Sequence, residues 1–393
     1  MTRTVGAGMA PGTAAAERLD PVRPGRDAGL WPGVVLLDLD GVVYTGDTAT
    51  PGAVASIETA CEHDVPIRYI TNNAFRTRRQ VAERLRRLGV AADPNEVITS
   101  SGVAADLLAS RREAGAIEQG PVSVVGGPGL TGPLTDAGFE VAQARHHGSG
   151  RPLPAALVQG FTPELTWQDL AAAAYLVRAG VWWLATNLDS TLPTDSGPAP
   201  GNGALVVAVS TAAGRPPDAV AGKPATAMFA LAARDAGVAD MADVFVVGDR
   251  LDTDIAGAVA VGCPSMLVLT GVHGVADAAA AAPGQRPTFL GNGLAALTSD
   301  HPPGLVEEAG RASCRRARAE VRLRPDGAVV TCTASGDGGD GGLDVARALL
   351  WAAWSAVDEL AADARVTARR ALSYHPVVRD LDRATRAAAG QAR

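Results

Sequence analysis

From Val34 onward, short and almost wholly apolar runs alternate with segments of helical character, and this alternation limits the fold more than any other feature of the chain. VVLLDL (34–39), IRYITNN (67–73) and EVITS (96–100) are separated by predicted helices over 52–63 and 77–88. Runs with no polar face read as strands buried on both sides, which predicts a parallel sheet between helix layers. A second series begins at VSVVGG (122–127), continues through AALVQGF (155–161) and VWWLATN (181–187), and closes with a predicted helix over 203–213. AVAGK (219–223), DVFVVGD (243–249) and SMLVLTGV (265–272) then read as strands of the first kind again. The expected fold class is α/β: a Rossmann-like doubly wound core from residues 31–104 and 216–300, interrupted by an inserted α/β unit over 105–215.

At 393 residues the chain has room for two or three folding units. Past residue 300 its texture changes: HPPG is a break, RARAEVRLRPDGAVVTCTAS suggests two strands about a PDG turn, GDGGDGG is a flexible link, and LDVARALLWAAWSAVDELAADA has helical spacing. A small ββα domain over 305–393 is expected, with Trp351 and Trp354 as core or docking residues. Residues 1–30 read as a flexible tail without the apolar stretch of a signal peptide, and no later run is long enough for a membrane span. A formal charge of −7 gives no electrostatic footprint for nucleic acid or an anionic membrane, so neither is expected as a partner. Cys61, Cys263, Cys314 and Cys332 lie far apart, which signals neither a zinc site nor a disulfide framework and fits a reducing cytoplasm.

The chemistry concentrates where apolar runs end, the place where open parallel sheets bind ligands. Asp38 and Asp40 follow the first run in DLDGVVYTG. Carboxylates this close repel unless a cation lies between them, and a hard dication with oxygen ligands suits Mg²⁺. Thr71 ends the second run and offers a hydroxyl and neighbouring N–H groups to an anion. Asp249 ends another in VVGDRLDTD, with Asp252 and Asp254 close behind. Of the 35 basic residues 34 are arginine, and the one lysine, Lys223, stands at a run's end in GKP. In so arginine-biased a chain that lysine is expected to supply a compact point charge in a tight pocket. Together these ends describe a phosphoryl-transfer site with a metal.

The same residues, in order, resemble the four motifs of the haloacid dehalogenase-like hydrolases: DxD at Asp38 and Asp40, then Thr71, then Lys223, then the string holding Asp249 and Asp254. With the large insert, TNN (71–73), ATNLD (185–189) and GNGALV, the chain over 33–297 is similar to the subgroup of nitrophenyl-phosphate, pyridoxal-phosphate and nucleotide phosphatases. The resemblance implies a C2-type cap over the site and a small phosphate monoester as substrate. It implies Asp38 as nucleophile and Asp40 as acid and base. Mg²⁺, replaceable by Mn²⁺ or Co²⁺, would lie on Asp38, the Asp40 carbonyl and Asp249, with Asp254 orienting Lys223. Thr71, Asn72, Asn73, Arg76, Lys223 and, from the cap, Asn187 and Asp189 would bind phosphate or substrate. The GNG turn (201–203) would face the same cavity, while His146 and His147 are expected to be exposed. The resemblance also allows a homodimer through the cap.

Asp40 separates reaction types, because a halide leaving group needs no proton, so a second aspartate favours a phosphatase. Response-regulator receivers share the acid pocket and lysine but are short and lack the insert. A finer resemblance, to actinobacterial glycerol 3-phosphate phosphatases with an acetyltransferase-like tail, implies glycerol 3-phosphate as substrate. Pyridoxal phosphate, 4-nitrophenyl phosphate, 2-phosphoglycolate and nucleotides stand as alternatives. The tail has no RxxGxG loop, so acetyl transfer is not expected. A non-enzymatic alternative is a phosphometabolite sensor acting through the tail.

Overall fold

The computed structural model describes residues 32–147, 152–194, 196–336 and 340–390. The expected tail over 1–30 and residues 337–339 of the expected glycine-rich link lie outside them.

The first described unit comprises β1 (Val34–Leu37), a short hairpin of β2 (Tyr44–Thr45) and β3 (Thr48–Ala49), α1 (Ala53–Glu62), β4 (Ile67–Thr71), α2 (Arg78–Arg87), β5 (Val97–Thr99) and α3 (Ser100–Glu113). The second unit follows with β6 (Val122–Val125), α4 (Pro128–Asp136), β7 (Val141–Gln143), β8 (Ala156–Gln159), α5 (Trp167–Arg178), β9 (Trp183–Ala185), the hairpin β10 (Thr191–Thr194) and β11 (Gly197–Pro200), α6 (Asn202–Ala213) and β12 (Ala219–Val220). The chain then returns through α7 (Thr226–Asp235), β13 (Val244–Gly248), α8 (Ala256–Val261), β14 (Ser265–Val268), α9 (Val275–Ala279) and β15 (Phe289–Gly291). It ends in β16 (Leu305–Glu308), β17 (Arg311–Cys314), β18 (Ala317–Leu323), β19 (Val329–Ser335), α10 (Leu343–Asp358), α11 (Ala362–Tyr374) and α12 (Pro376–Ala388).

The first sheet is parallel, in the order β15-β14-β13-β1-β4-β5. Alternate residues of its strands enter different cores: Val34, Leu36, Ile70 and Val246 on one face, Val35, Leu37, Tyr69 and Val247 on the other. Burial on both faces is the reason these runs carry no polar alternation. Chain order reverses at β1, which has β13 on one side and β4 on the other. The crevice beyond the ends of β1 and β13 is therefore the switch point at which doubly wound sheets bind ligands.

The second sheet is also parallel, in the order β12-β9-β8-β6-β7. Its membership corrects one expectation. The sequence places AVAGK with the core strands, but β12 pairs with β9, Ala219 opposite Leu184 and Val220 opposite Ala185. Following α6 directly, β12 completes a crossover next to the strand the chain has just left, the usual course of such a connection. Lys223 is thus delivered to the core from the end of a cap strand. One apolar cluster joins the two units, since Val122, Val124, Val158 and Leu184 share it with Val34, Leu36 and Ile98.

The C-terminal domain contains the expected strands and helix and more besides. Four antiparallel strands, β16-β17-β18-β19, carry α10, α11 and α12. β16 is exposed along its whole length and β17 buries only Ala312 and Cys314, so neither shows an apolar run. The domain has no separate core: Leu349, Trp354, Leu372 and Val378 pack in one cluster with Leu251, Ile255, Leu267 and Val275 of the first unit. Trp354 is 6% exposed and donates its indole N–H to Ala278 O at 2.8 Å. Among the described residues no helix is long and apolar enough to cross a membrane.

Trp354→Ala removes a buried ring at this seam and should lower the free energy of unfolding by about 3–5 kcal/mol. Denaturant unfolding of the full chain measures it; a loss below about 1 kcal/mol would mean that the seam carries little of the packing.

Candidate active site

The ladder between β1 and β13 runs on one step past the strands, with Asp38 N donating to Val247 O at 3.0 Å. Asp38 and Asp249 accordingly leave adjacent strands on the same edge. Lys223 Nζ lies 2.5 Å from Asp38 Oδ1 and 2.7 Å from Asp254 Oδ1, and all three side chains are largely buried. Both carboxylates hold the ammonium and drive its pKa above the ordinary lysine value against the pull of burial.

The three acids are in deficit of positive charge. Oxygens of Asp38, Asp249 and Asp254 lie within 4.8 Å of one another, against one ammonium among them. Burial pushes the Asp249 carboxyl well above the usual range, and the charges of Asp38 and Asp254 push it further. Asp249 Oδ2 accepts from Val272 N at 2.7 Å, while Oδ1 is buried without a hydrogen-bond partner. An orphaned, buried carboxylate oxygen beside a second acid fits a hard dication with oxygen ligands. Asp254 is already engaged, by Lys223 and by Arg250 N on Oδ2 at 3.1 Å, which leaves Asp38 and Asp249 as the freer donors.

Glycines clear the space for this crowding. Gly41 has φ +86°, and a Cβ there would lie 2.4 Å from Asp249 Oδ2; one on Gly271 would lie 1.9 Å from the same atom. A Cβ on Gly248 would lie 2.1 Å from the Asp254 Cβ. Only glycine has both the backbone freedom and the missing atom that Gly41 requires.

Asp40 sits differently, exposed in the cleft yet surrounded by enough protein that burial pushes its carboxyl up. Arg84, Arg76 and Lys223 oppose that push, and Tyr44 hydrogen-bonds it. Arg84 also stacks on the Tyr44 ring, 4.4 Å from its centroid. Arg76 is placed by the turn before α2: Asn73 Oδ1 accepts from Phe75 N and Arg76 N, and Thr77 and Gln80 form a capping box. Thr71 is buried, and its hydroxyl accepts from Asn73 N at 3.1 Å.

Asn72, Asn187 and Asp189, expected at the substrate, form a clasp between the two sheets. Asn72 Oδ1 accepts from Lys223 N at 2.7 Å, and its Nδ2 donates to Lys223 O and Asp189 Oδ1, each at 3.1 Å. Asn187 Nδ2 donates to Asn72 O at 2.8 Å. With both ends of its amide engaged, the Asn72 side chain positions the lysine's main chain. The GNG turn joins the same clasp. Asn202 is buried and donates to Asn187 O at 2.9 Å, and Cβ atoms on Gly201 and Gly203 would fall 2.4 and 2.2 Å from the backbone oxygens of Asp189 and Leu188. A Cβ on Gly222 would meet Asn72 Oδ1 at 2.5 Å, so the glycine of GKP belongs here too.

His146 is exposed as expected, whereas His147 is half-buried. Asp252 is half-exposed and pairs with Arg250 at 2.7 Å. Sequence reasoning missed Tyr44, Arg84 and the loop after β14, where Thr270 Oγ1 donates to Gly41 O at 2.6 Å and Val272 N holds Asp249. The end of that strand was legible as one more strand end; Arg84 had no local signal among so many other arginines.

Comparison with known proteins identifies the family. A family model described as haloacid dehalogenase-like hydrolase matches residues 35–140, and one described as HAD-hydrolase-like matches 220–297. A D-glycerol 3-phosphate phosphatase of Mycobacterium tuberculosis is 39% identical over 334 residues, 82% of this chain and 86% of that one. The crystal structure of a glycerol phosphate phosphatase from that organism in complex with magnesium has a TM-score of 0.69 at 38% identity, covering 84% of this chain and 92% of that one. The 4-nitrophenylphosphatase structure from Thermotoga maritima has a TM-score of 0.62 at 29% identity, covering 68% of this chain and 97% of that one. The chain belongs to the haloacid dehalogenase-like hydrolases, in the subgroup that includes the 4-nitrophenylphosphatases.

Asn72→Ala strips the buried Lys223 N–H of its acceptor and should cost about 1–3 kcal/mol of stability. Thermal unfolding and phosphate release both read it. An unchanged Tm with unchanged turnover would show the clasp to be dispensable.

Proposed function

We propose that the protein is a Mg²⁺-dependent phosphatase of small phosphate monoesters, acting through an aspartyl phosphate on Asp38, with glycerol 3-phosphate as its substrate. The observation that carries the reading is Lys223 Nζ fixed between Asp38 and Asp254 at the switch point, with Asp40 two residues on in the open cleft. The similarity to D-glycerol 3-phosphate phosphatase over most of both chains supports the substrate, and the magnesium-bound neighbour supports the metal. Asp38, Asp249 and the Asp40 carbonyl would hold the ion, which would supply charge neutralisation for the phosphoryl oxygens.

Lys223 holds Oδ1 of Asp38, orienting the carboxylate whose other oxygen attacks phosphorus in line. Asp40, its carboxyl raised, gives its proton to the departing alkoxide and then takes one from the water that opens the acyl phosphate. Thr71 and the backbone N–H groups after it receive the phosphate oxygens. Arg76 and Arg84 bring positive charge to the mouth of the cleft, where an anionic substrate enters. The cap keeps bulk water from the acyl phosphate and admits a small alcohol moiety. The engaged acids, the raised acid/base and the phosphatase relatives all favour turnover over phosphometabolite sensing.

Asp38→Asn should abolish phosphate release while leaving Tm within a few degrees. Asp40→Asn should lower kcat about 10²–10⁴-fold with glycerol 3-phosphate. The loss should be much smaller with 4-nitrophenyl phosphate, whose leaving group needs less protonation. Equal losses on both substrates would remove Asp40 from the acid role. Ranking glycerol 3-phosphate, pyridoxal 5′-phosphate, 2-phosphoglycolate and nucleoside monophosphates by kcat/KM tests the substrate; a low rank for glycerol 3-phosphate overturns that choice and leaves the reaction class standing.

A further inference from the structure

We propose that Arg386, on the last helix of the C-terminal domain, is a positioning residue for the metal-binding acid Asp249. The connection is made by two successive peptide units of the loop that follows β14. In the first, Gly271 O accepts from Arg386 Nη1 at 3.0 Å and Val272 N donates to Asp249 Oδ2 at 2.7 Å. In the second, Val272 O accepts from Arg386 Nη2 at 2.9 Å and His273 N donates to Asp249 O at 3.0 Å. A trans peptide points its C=O and N–H in opposite directions, so each unit has the guanidinium on one side and Asp249 on the other. Charge on the carbonyl side polarises the peptide and strengthens the bond its N–H makes.

The guanidinium is itself set in place. Asp382, largely buried one turn earlier on α12, accepts from Arg386 Nε at 3.3 Å, and its other oxygen accepts from Ala276 N at 3.4 Å. A Cβ on Gly274 would lie 1.9 Å from Asp382 Oδ1 and 2.6 Å from Arg386 Nη2, so helix and loop are in direct contact. The loop in turn grips the first motif, through Thr270 on Gly41 O at 2.6 Å, and the fourth, through His273 Nδ1 accepting from Leu251 N at 2.9 Å. The planar fork of an arginine matches two adjacent carbonyls in a way that an ammonium cannot.

The inference rests on the reading of Asp249 as a metal ligand given above, and the experiment separates the two. Mg²⁺ binding to full-length, EDTA-treated protein is measured by calorimetry, together with apo-protein Tm and with kcat and KM at saturating Mg²⁺. Partners behind a metal ligand typically contribute about 10–100-fold in metal affinity, so Arg386→Ala should raise the Mg²⁺ Kd at least about 10-fold. Its KM for substrate at saturating Mg²⁺ should change less than twofold. Arg383→Ala, on the same helix but exposed and paired with Asp380, should bind as wild type does. If Arg386→Ala does not fold, Arg386→Lys is judged by the same 10-fold criterion. A lowered Tm with unchanged Mg²⁺ affinity gives Arg386 a purely structural role and overturns the inference. Wild-type protein that binds no Mg²⁺ and releases phosphate equally well without it overturns the metal reading instead.

Discussion

One ammonium between two buried carboxylates organises this molecule. Lys223 Nζ lies within 2.7 Å of both Asp38 and Asp254, in a site with a third buried acid, Asp249, for which it is too little charge. Taking such charges out of water costs several kcal/mol per ion, and a well-packed apolar replacement often stabilises a fold as much or more. Stability alone therefore does not account for the cluster. The residual negative charge and the bare Oδ1 of Asp249 fit a dication, whose charge would offset what the ammonium leaves uncompensated.

The surrounding architecture follows from keeping those side chains close. Asp38 and Asp249 come from neighbouring parallel strands in register, which puts residues distant in the chain side by side. Lys223 arrives from the other unit, at the end of β12, and cannot rely on the same ladder. The Asn72 clasp does that work by binding the lysine's N–H and C=O with one amide. Because its partners Asn187 and Asn202 belong to the cap, the junction between the two units and the placement of the lysine are a single hydrogen-bonded network.

The C-terminal domain is tied to the same centre by packing. Its helices complete the core against α9 and the end of β14, where Val275, Ala276 and Leu269 share one cluster with Leu349 and Trp354. A domain that shares its core with the catalytic unit influences the loops above that core through rigid contacts, and α12 reaches the loop that holds Asp249. This gives the extension a physical role that needs no acetyl transfer and no partner protein.

What the residues determined alone was the class of fold and the chemistry of its edge. Uninterrupted apolar runs specify strands buried on both faces, and acids, a threonine and a solitary lysine at the ends of such runs specify a phosphoryl site, because both signals are local and survive without knowledge of what packs where. Only the tertiary structure decided which sheet took Ala219 and Val220, since two residues carry no pattern and their pairing follows from the crossover after α6. It also decided that Asn72, Asn187 and the GNG turn brace the lysine, because an amide looks the same in sequence whether it meets a ligand or a peptide group. Likewise the long reach of Arg386 to Gly271 and Val272, one arginine among 34, exists only once remote segments are folded against each other.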